Sequence, residues 1–306
     1  MALLKDSVTS LIASQVPLAS HTTMKVGGPA RHFAVAENRE ELIALLGWAK
    51  ERGQPVFILG AGSNVIIADE GFPGLVLLLG RAFRNVTVEE EDRRVVSGAA
   101  SPMPLLGRAG VERGWGDFVF LCGIPGVIGA GVRMNAGTGG GELSHIFEWA
   151  EIITSDGKMK RLSREELTFG YRASSLKEMK GAVVMRVCLR SDEEPLPPAK
   201  TLALAREELE KRLLRQPENH RNCGSVFKNP PGLSAGKLIE EAGLKGARVG
   251  DAEVSREHAN WIVNRGNATG SDIRALIERI QEEVYKASGV NLQREVVLIP
   301  EDILDG

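Results

Sequence analysis

An α+β fold in more than one lobe is the fold class that this sequence predicts, and three observations support it. The chain has 306 residues, which exceeds the usual single-domain size of about 100–150 residues. A strand, a helix and a second strand follow one another from residue 31 to residue 60. Short β-branched segments then alternate with glycine-dense loops up to about residue 190.

The composition is that of an ordinary globular protein, with 43% hydrophobic and 25% charged residues. A formal net charge of −2 provides no bulk attraction to nucleic acid or to anionic membranes. Cys122, Cys188 and Cys223 are widely spaced, which argues against a disulfide framework or a structural zinc site and indicates a reducing compartment. Glycine and proline interrupt the best apolar run, and the N-terminus lacks a signal-peptide pattern. We therefore expect a cytoplasmic protein without a membrane span.

The first lobe begins with the predicted strand RHFAVA. Asn38 then occupies the cap position of a helix, with Glu41 at the capping-box position, and Gly53 ends the helix. PVFILG is the second strand, so the strand–helix–strand order predicts two parallel strands. The apolar stripe of the helix consists of Leu42, Leu45, Leu46 and Ala49.

The second lobe is predicted to be rich in sheet, and a third region follows it. The predicted strands of the second lobe are GLVLLL, VTVEEE, RRVVSGAA, AEIITSD and GAVVMRVCLR. A linker at SDEEPLPPAK precedes an amphipathic helix from about Leu202 to Leu214. The third region contains a helix at AGKLIEEAGLKG, a strand at NWIVNRG and a long helix, and VNLQREVVLIP predicts a last strand. The apolar face of the long helix is Ile273, Leu276, Ile277, Ile280 and Val284.

Two glycine-rich loops are candidate ligand sites. In LGAGSN, the Gly-x-Gly follows a strand, but a strand signal at 65–67 follows it in place of the helix that a Rossmann site needs. Its backbone N–H groups can cradle a pyrophosphate, and a tight hairpin is the equally good alternative. GIPGVIGAGVRMNAGTGGGE has eight glycines in twenty positions, and this density favours close backbone approach to a bulky ligand.

Polar residues in three other stretches are candidates for the chemistry. Arg172 lies in FGYRASS, where a surface salt bridge is the plainer interpretation. Glu295 shares a face with Val297 and Ile299 under strand alternation, so it is either partly buried or near a sheet edge. Ser225 in CGSVFKNP follows a glycine, so an ordinary turn serine is the plainer interpretation of this residue alone. It has no histidine beside it, which suits proton donation better than nucleophilic attack.

Other residue types give weaker signals. Lys228 and Asn229, close to Ser225, suit the phosphate and amide groups of a polar ligand. GLSAGKL does not have the spacing of a P-loop, and the five histidines show no metal-ligand spacing. We therefore expect no metal.

Eight stretches stand out in order along the chain: HTTMKVGGPA, LGAGSN, GIPGVIGAGVRMNAG, YRASS, CGSVFKNP, AGKLIEEAGLKG, VSREHANWIVNRGNAT and LQREV. Together they resemble the UDP-N-acetylenolpyruvoylglucosamine reductases of bacterial peptidoglycan synthesis. The resemblance extends from about residue 20 to residue 300. Several specific motifs in one order leave little room for chance.

The resemblance implies an FAD-binding fold of the vanillyl-alcohol-oxidase (PCMH) type in two α/β subdomains plus a smaller α/β substrate-binding domain. The first subdomain would comprise 1–77 with 290–306 returning to it, the second 78–214, and the substrate-binding domain 215–289. FAD would bind without a covalent bond. The implied FAD-binding residues are Gly60, Ala61, Gly62, Ser63, Asn64, Gly123, Ile124, Pro125, Gly126, Asn135, Ala136 and Gly137.

The resemblance also implies a reaction. NADPH would reduce FAD, and the flavin would reduce UDP-N-acetylglucosamine enolpyruvate to UDP-N-acetylmuramate. Ser225 matches the proton donor of the family, and Arg172 and Glu295 match its other two active-site positions. Lys228 and Asn229 would contact the UDP-sugar.

Two departures and two alternatives accompany the resemblance. The family loop commonly reads A-Y-G-G-E, whereas TGGGE here lacks the aromatic residue. No tyrosine lies between Arg190 and Gly224, which resembles the subclass without a tyrosine-bearing loop. The alternative enzyme is an alcohol or sugar oxidase with covalently attached flavin, for which Cys122 is a candidate. The alternative without catalysis is a nucleotide or UDP-sugar sensor.

Overall fold

The structure, a computed structural model, describes residues 8–139, 141–214 and 221–304. Gly140 of the glycine loop and the predicted domain boundary at 215 lie outside these residues. The helices are α1 Arg39–Glu51, α2 Met103–Val111, α3 Ile128–Arg133, α4 Leu143–Ile146, α5 Pro198–Leu213, α6 Ala235–Glu241, α7 Gly270–Ser288 and α8 Glu301–Leu304.

Short strands alternate with these helices. They are β1 Ala13–Pro17, β2 Pro29–Ala36, β3 Val56–Ile58, β4 Val65–Ile67, β5 Phe72–Leu79, β6 Val86–Glu89, β7 Arg94–Gly98, β8 Gly137–Thr138, β9 Gly141–Glu142, β10 Phe147–Ile153, β11 Met159–Ser163, β12 Phe169–Gly170, β13 Ala173–Ser174, β14 Val183–Arg190, β15 Arg221–Ser225, β16 Arg248–Val249, β17 Ala252–Val254, β18 Trp261–Asn264 and β19 Val297–Ile299.

The described residues form two compact units. The first comprises 8–12, 34–60 and 77–212, and the second comprises 13–33, 61–76 and the described residues from 213 onward. The predicted division into three domains stays a prediction. No helix among the described residues has the length and apolar character that a membrane crossing requires.

The first unit contains an antiparallel sheet in the order β11–β10–β14–β7–β6. Four of its strands arise from the predicted segments VTVEEE, RRVVSGAA, AEIITSD and GAVVMRVCLR, so these predictions are confirmed. Strand β14 is buried at six of its eight positions and half-buried at a seventh, which is why its sequence is apolar on both faces.

Helix α1 forms where the sequence predicts it. The side chain of Asn38 accepts a hydrogen bond of 2.9 Å from the backbone N–H of Glu41, and the helix ends at Glu51, shortly before Gly53. Leu42, Leu45 and Ala49 are buried, as expected for a stripe with helical spacing. Strands β2 and β3 lie in one sheet, in the order β1–β2–β5–β3, with β5 between them.

The second unit packs around α7. The helix buries the five predicted apolar side chains, and burying each of them contributes about 1.5–3 kcal/mol to folding. Asp69 accepts backbone hydrogen bonds from Gly270 and Ser271 at the helix N-terminus, at 2.7 and 3.0 Å. This carboxylate therefore satisfies N–H groups that a helix start leaves without partners.

The C-terminal strand is shorter than predicted because the chain changes partner within it. Arg294 forms an isolated antiparallel bridge with Phe227, whereas β19 pairs in parallel with β4. The alternation predicted for one continuous strand is therefore interrupted. Val296 and Leu298 are buried, and Val297 is only half-buried.

Candidate functional site

Ser225 lies at the end of a strand with a bulge. In the pairing of β15 with β18, Asn222 lies opposite Val263 and Ser225 lies opposite Trp261. Three steps along β15 therefore match two steps along β18, so β15 contains one extra residue. A β-bulge of this kind changes the direction in which the next side chain points, and such bulges are common beside active sites.

Gly224 supplies the backbone conformation that this bulge needs. Its φ of +78° lies in the left-handed region, which residues with a Cβ atom rarely adopt. A Cβ added to Gly224 would meet no heavy atom of the described residues within 4 Å, apart from its two chain neighbours. The requirement for glycine is therefore conformational rather than steric. The sequence contained a signal for this bulge, since an isolated glycine in a strand often marks one.

The side chain of Ser225 is available to a ligand. The residue is half-buried, and its hydroxyl forms no hydrogen bond with any described residue, including the described histidines. A serine that serves only a turn normally bonds a nearby backbone group. This hydroxyl can instead donate a hydrogen bond or a proton to a bound molecule.

Glu295 lies beside the residue that follows Ser225. Its backbone N–H donates a hydrogen bond of 2.8 Å to the carbonyl oxygen of Val226. Its own carbonyl oxygen accepts a hydrogen bond of 3.1 Å from the side chain of Asn64, the last residue of the LGAGSN loop. Glu295 is half-buried, as expected. The second unit thus brings Ser225, Glu295 and Asn64 together.

Lys228 and Asn229 continue the same segment. The backbone N–H of Lys228 donates to the carbonyl oxygen of Gln293 at 2.9 Å, and its ammonium group forms no ion pair with the described residues. The side-chain oxygen of Asn229 accepts a hydrogen bond of 3.0 Å from the N–H of Ala235, the first residue of α6. An ammonium group without a carboxylate partner suits a phosphate ligand.

The loop at 61–64 forms a pocket of backbone donors. Gly62 has a φ of +66°, and an added Cβ would overlap the backbone of His21. Thr23 holds the loop through its N–H and its hydroxyl, which donate to the carbonyl oxygen of Gly62 at 3.1 and 3.2 Å. The N–H groups of residues 61–64 donate to no acceptor within the described part of the chain. Consecutive unpaired N–H groups of this kind fit the pyrophosphate of a dinucleotide.

The loop Gly123–Gly126 lies in the first unit. Gly126 has a φ of +117°, and its carbonyl oxygen accepts a hydrogen bond of 3.0 Å from the N–H of Met103. A Cβ added to Gly123 would lie 3.4 Å from Cδ and 3.5 Å from Nη1 of Arg212. Burial lowers the pKa of Arg212, and its guanidinium beside the loop favours an anionic ligand.

Asn135 is a fully buried residue with a φ of +43°. Its amide nitrogen donates to the carbonyl oxygen of Gly170 at 3.0 Å, and its amide oxygen accepts from the N–H of Ser144 at 3.0 Å. The N–H of Ala136 donates to Gly131, and Gly137 pairs with Glu142. The side chain of Asn135 therefore connects parts of the unit. Contacts of residues 135–137 with a cofactor stay predictions.

Arg172 lies in the turn of the hairpin formed by β12 and β13. Its φ of +56° is unusual for a residue with a side chain, and its carbonyl oxygen accepts a hydrogen bond of 3.1 Å from Nζ of Lys177. The guanidinium carbon lies 5.2 Å from the ring centroid of Tyr171. Such backbone conformations are concentrated at functional sites. The predicted role of Arg172 is compatible with this position and stays a prediction.

Glu142, a carboxylate that no sequence pattern indicates, lies near Arg172. Burial disfavours the charged form of Glu142, but hydrogen bonds from Ser144 and Asn135 favour it, as do the charges of His145 and Arg172. Together they hold the pKa of this carboxyl below its ordinary value. The preceding glycine run concealed Glu142, because a single acidic residue after four small ones shows no pattern.

The cysteines and histidines provide no reactive or metal-binding centre among the described residues. Burial raises the pKa of the Cys122 thiol and raises that of Cys223 to about 12, so both are poor nucleophiles. No group of three or more His, Cys, Asp or Glu residues in the described ranges could hold a metal ion.

Two family models match the chain. One, described as "UDP-N-acetylenolpyruvoylglucosamine reductase, C-terminal domain", matches residues 216–299, and the other, described as "FAD binding domain", matches residues 30–163. Together they cover both glycine-rich loops and the stretch that contains Ser225. The match and the mixed α/β structure confirm the predicted FAD-binding fold.

Known proteins are similar along nearly the whole chain. The UDP-N-acetylenolpyruvoylglucosamine reductase 2 of Symbiobacterium thermophilum is 44% identical over 283 residues, covering 92% of this chain and 89% of the relative. The reductase of Heliobacterium modesticaldum is 43% identical over 289 residues, covering 93% and 90%. The crystal structure of the Thermus caldophilus enzyme has a TM-score of 0.80 and 38% identity, covering 94% of this chain and 98% of that one. This chain is therefore an FAD-binding oxidoreductase and belongs to the UDP-N-acetylenolpyruvoylglucosamine reductase family.

Proposed function

We propose that the chain reduces UDP-N-acetylglucosamine enolpyruvate to UDP-N-acetylmuramate, with NADPH as the hydride source. Membership of the reductase family and the FAD-binding match support this proposal. The proposed compartment is the cytoplasm, which agrees with three cysteines that are free in the structure.

The loops would hold FAD through backbone groups. The N–H groups of 61–64 and the loop Gly123–Gly126 would receive its pyrophosphate. When bound, FAD supplies the redox chemistry, carrying a hydride from NADPH to the β-carbon of the enolpyruvyl ether. Lys228 and Asn229 would hold the UDP part of the substrate. The ammonium of Lys228, which has no ion-pair partner among the described residues, matches its phosphates.

The side chains of the chain would complete the reduction. Negative charge develops on the α-carbon and carboxylate of the substrate when the β-carbon receives a hydride. Arg172 would hold that carboxylate, and Glu295 would help to position or polarise it. Ser225 would donate its hydroxyl proton to the α-carbon, so that the added hydride and proton together convert the double bond into the lactyl ether.

One observation carries the assignment of Ser225: this half-buried residue ends a bulged strand, directly before the residue that pairs with Glu295, and its hydroxyl forms no hydrogen bond with the described residues. A nucleotide sensor would have no use for such a proton donor. An oxidase with covalently attached flavin is disfavoured as well, because burial raises the pKa of Cys122 and an added Cβ on Gly107 would lie 2.9 Å from its sulfur.

The visible flavin spectrum tests the proposed function. In protein reconstituted with FAD, the visible absorbance of the flavin should disappear (bleach) when NADPH reduces it in the absence of oxygen. UDP-N-acetylglucosamine enolpyruvate should then reoxidise the flavin and restore its absorbance (recolouring). A protein that binds no FAD, or a reduced flavin that this substrate leaves reduced, would contradict the proposal.

The substitution Ser225→Ala separates the two half-reactions. Bleaching by NADPH should keep its rate, whereas recolouring by the substrate should slow by about 10²–10⁴-fold, the usual contribution of a positioned acid. Ser288→Ala is a control, because Ser288 is exposed at the end of α7, where its hydroxyl donates to the carbonyl oxygen of Val284 at 2.8 Å and accepts from the N–H of Val290 at 3.3 Å. Equal slowing of both half-reactions in Ser225→Ala would make Ser225 structural.

A further inference from the structure

We propose that Asn260 is a positioning residue for the proton-donating Ser225. The proposal rests on the proposed function, in which Ser225 protonates the substrate. Asn260 lies directly before β18 and is 4% exposed. Its side chain binds the backbone that follows Ser225 and would act on the reaction only by holding Ser225 in place.

Three hydrogen bonds join Asn260 to the two residues after Ser225. The amide oxygen of Asn260 accepts from the N–H of Phe227 at 3.0 Å, and its amide nitrogen donates to the carbonyl oxygen of Phe227 at 2.8 Å. The N–H of Val226 donates to the backbone carbonyl oxygen of Asn260 at 2.9 Å. One buried side chain thus satisfies both polar backbone groups of Phe227.

The other edge of the segment is held by the chain near the C-terminus. The carbonyl oxygen of Val226 accepts from the N–H of Glu295 at 2.8 Å, and the N–H of Lys228 donates to the carbonyl oxygen of Gln293 at 2.9 Å. Residues 226–228 therefore lie between two fixed partners. Ser225 precedes this segment and Lys228 ends it, so a shift of the segment would move both.

Burial makes the Asn260 side chain difficult to replace. Val226 and Phe227 are each 1% exposed, so water has no access to the backbone groups of Phe227 if the amide is removed. Asn260 is itself fixed, since its N–H donates to Nδ1 of His258 at 3.3 Å. The bulge at Gly224 makes the support more important, because regular ladder pairing is interrupted just before Ser225.

Loss of this support should affect one half of the reaction and not the other. A displacement of about 1 Å in a catalytic group can slow a step about 10²-fold. Loss of the Asn260 side chain should therefore impair proton donation by Ser225. Transfer of hydride from NADPH does not use Ser225 and should continue.

Asn260→Ala and Asn264→Ala form a matched pair. Asn264 is equally buried, at 4% exposure, and lies at the far end of β18. Its amide donates to Met24 at 3.0 Å and accepts from Gly266 and Ala268 at 2.9 and 3.1 Å. Asn260→Ala should slow substrate-driven recolouring of the flavin about 10²-fold and leave bleaching by NADPH within about twofold. Asn264→Ala should leave both rates within about twofold.

Asn260→Asp supplies a signature that general destabilisation would not produce. Its carboxylate can accept from the N–H of Phe227, but only the protonated carboxyl can also donate to the carbonyl oxygen of Phe227. The recolouring rate of this variant, divided by that of the wild type, should therefore rise as the pH falls.

The outcomes separate this inference from the proposed function. If the wild type cannot be recoloured by UDP-N-acetylglucosamine enolpyruvate, the proposed function fails. If the wild type is recoloured, wild-type rates in Asn260→Ala or equal slowing in Asn264→Ala overturn the role of Asn260. If Asn260→Ala does not fold, Asn260→Asp decides: a rate ratio independent of pH overturns the role.

Discussion

Each of the two units places a candidate catalytic residue with a buried asparagine, but the two asparagines work differently. In the first unit, Asn135 connects Gly170, close to Arg172, with the N–H of Ser144. In the second, Asn260 binds both backbone groups of Phe227, close after Ser225. The side chain of Asn135 therefore joins two separate segments, whereas the side chain of Asn260 binds the backbone of a single residue.

The surroundings of the two asparagines also differ. Asn135 has a charged neighbour in Glu142, because both Asn135 and the positive charge of Arg172 lower the pKa of this carboxyl. Asn260 lies in a neutral network that includes Nδ1 of His258. The difference teaches that charges surround the residue proposed to hold the substrate carboxylate, whereas neutral hydrogen bonds surround the residue proposed to donate the proton. Substitutions in the two units should accordingly differ in their effects on the free energy of unfolding, on the rate of flavin recolouring and on pH dependence.

The largest expected effect is that of Asn135→Ala on the first unit. The substitution leaves the buried N–H of Ser144 without a partner and places alanine at a φ of +43°. An unpaired buried group costs about 1–3 kcal/mol, and the left-handed backbone adds about 1 kcal/mol. The free energy of unfolding measured in urea should fall by about 2–4 kcal/mol.

Asn135→Gly separates the contribution of the lost hydrogen bonds from that of the backbone conformation. Glycine adopts a positive φ readily, so this variant should be about 1 kcal/mol more stable than Asn135→Ala. Both variants lack the amide and should bind FAD more weakly than the wild type. Unfolding free energies within 1 kcal/mol of the wild type would mean that the bonds of Asn135 do not hold the unit together.

Gly224→Ala should lower the free energy of unfolding less than Asn135→Ala does, and it should disturb the bulge before Ser225 in the second unit. Among the described residues, no heavy atom beyond the two chain neighbours lies within 4 Å of the new Cβ, so the loss comes from φ and amounts to about 1–2 kcal/mol. The bulge should shift, and substrate-driven recolouring of the flavin should slow. Gly243→Ala is the control: its φ of +72° and empty surroundings match those of Gly224, but it follows α6. Equal recolouring rates in the two variants would show that the bulge does not place Ser225.

Local patterns predicted much of the fold. The long helix α7 buries the five residues that its spacing predicted, and Asn38 caps α1, because each depends on neighbours within one or two helical turns. The last strand was less predictable. Its alternation assumed one partner, but the chain pairs first with Phe227 and then with β4.

The support of the site could not be predicted from the sequence. The sequence pointed to Ser225, Arg172 and Glu295 through a family resemblance, and their roles stay predictions. Asn260 acts on a residue 33 positions away, and Asn135 reaches one 35 positions away. No local pattern encodes such pairs. The bulge at Gly224 likewise depends on the register with β18.

The smallest expected effect is a pH dependence confined to the second unit. Burial lowers the pKa of His258, and the nearby charge of Lys245 lowers it further. Because the folded protein disfavours the charged imidazole, the unfolded chain takes up the proton first as the pH falls below about 6.5. The stabilising contribution of His258 is thus complete above that pH and is lost as the pH falls through its folded-state value. Protonation also removes the acceptor Nδ1 that the N–H of Asn260 uses.

His258→Asn tests this dependence, because an asparagine oxygen can accept from the N–H two residues ahead and does not titrate. Unfolding free energies of wild type and variant, measured from pH 7.5 to 5.5, should diverge as the pH falls. The wild type should lose more, by about 1 kcal/mol or less, the worth of one neutral hydrogen bond. The other histidines are present in both proteins, so the difference isolates His258. Parallel curves would mean that its protonation does not loosen the segment that follows Ser225.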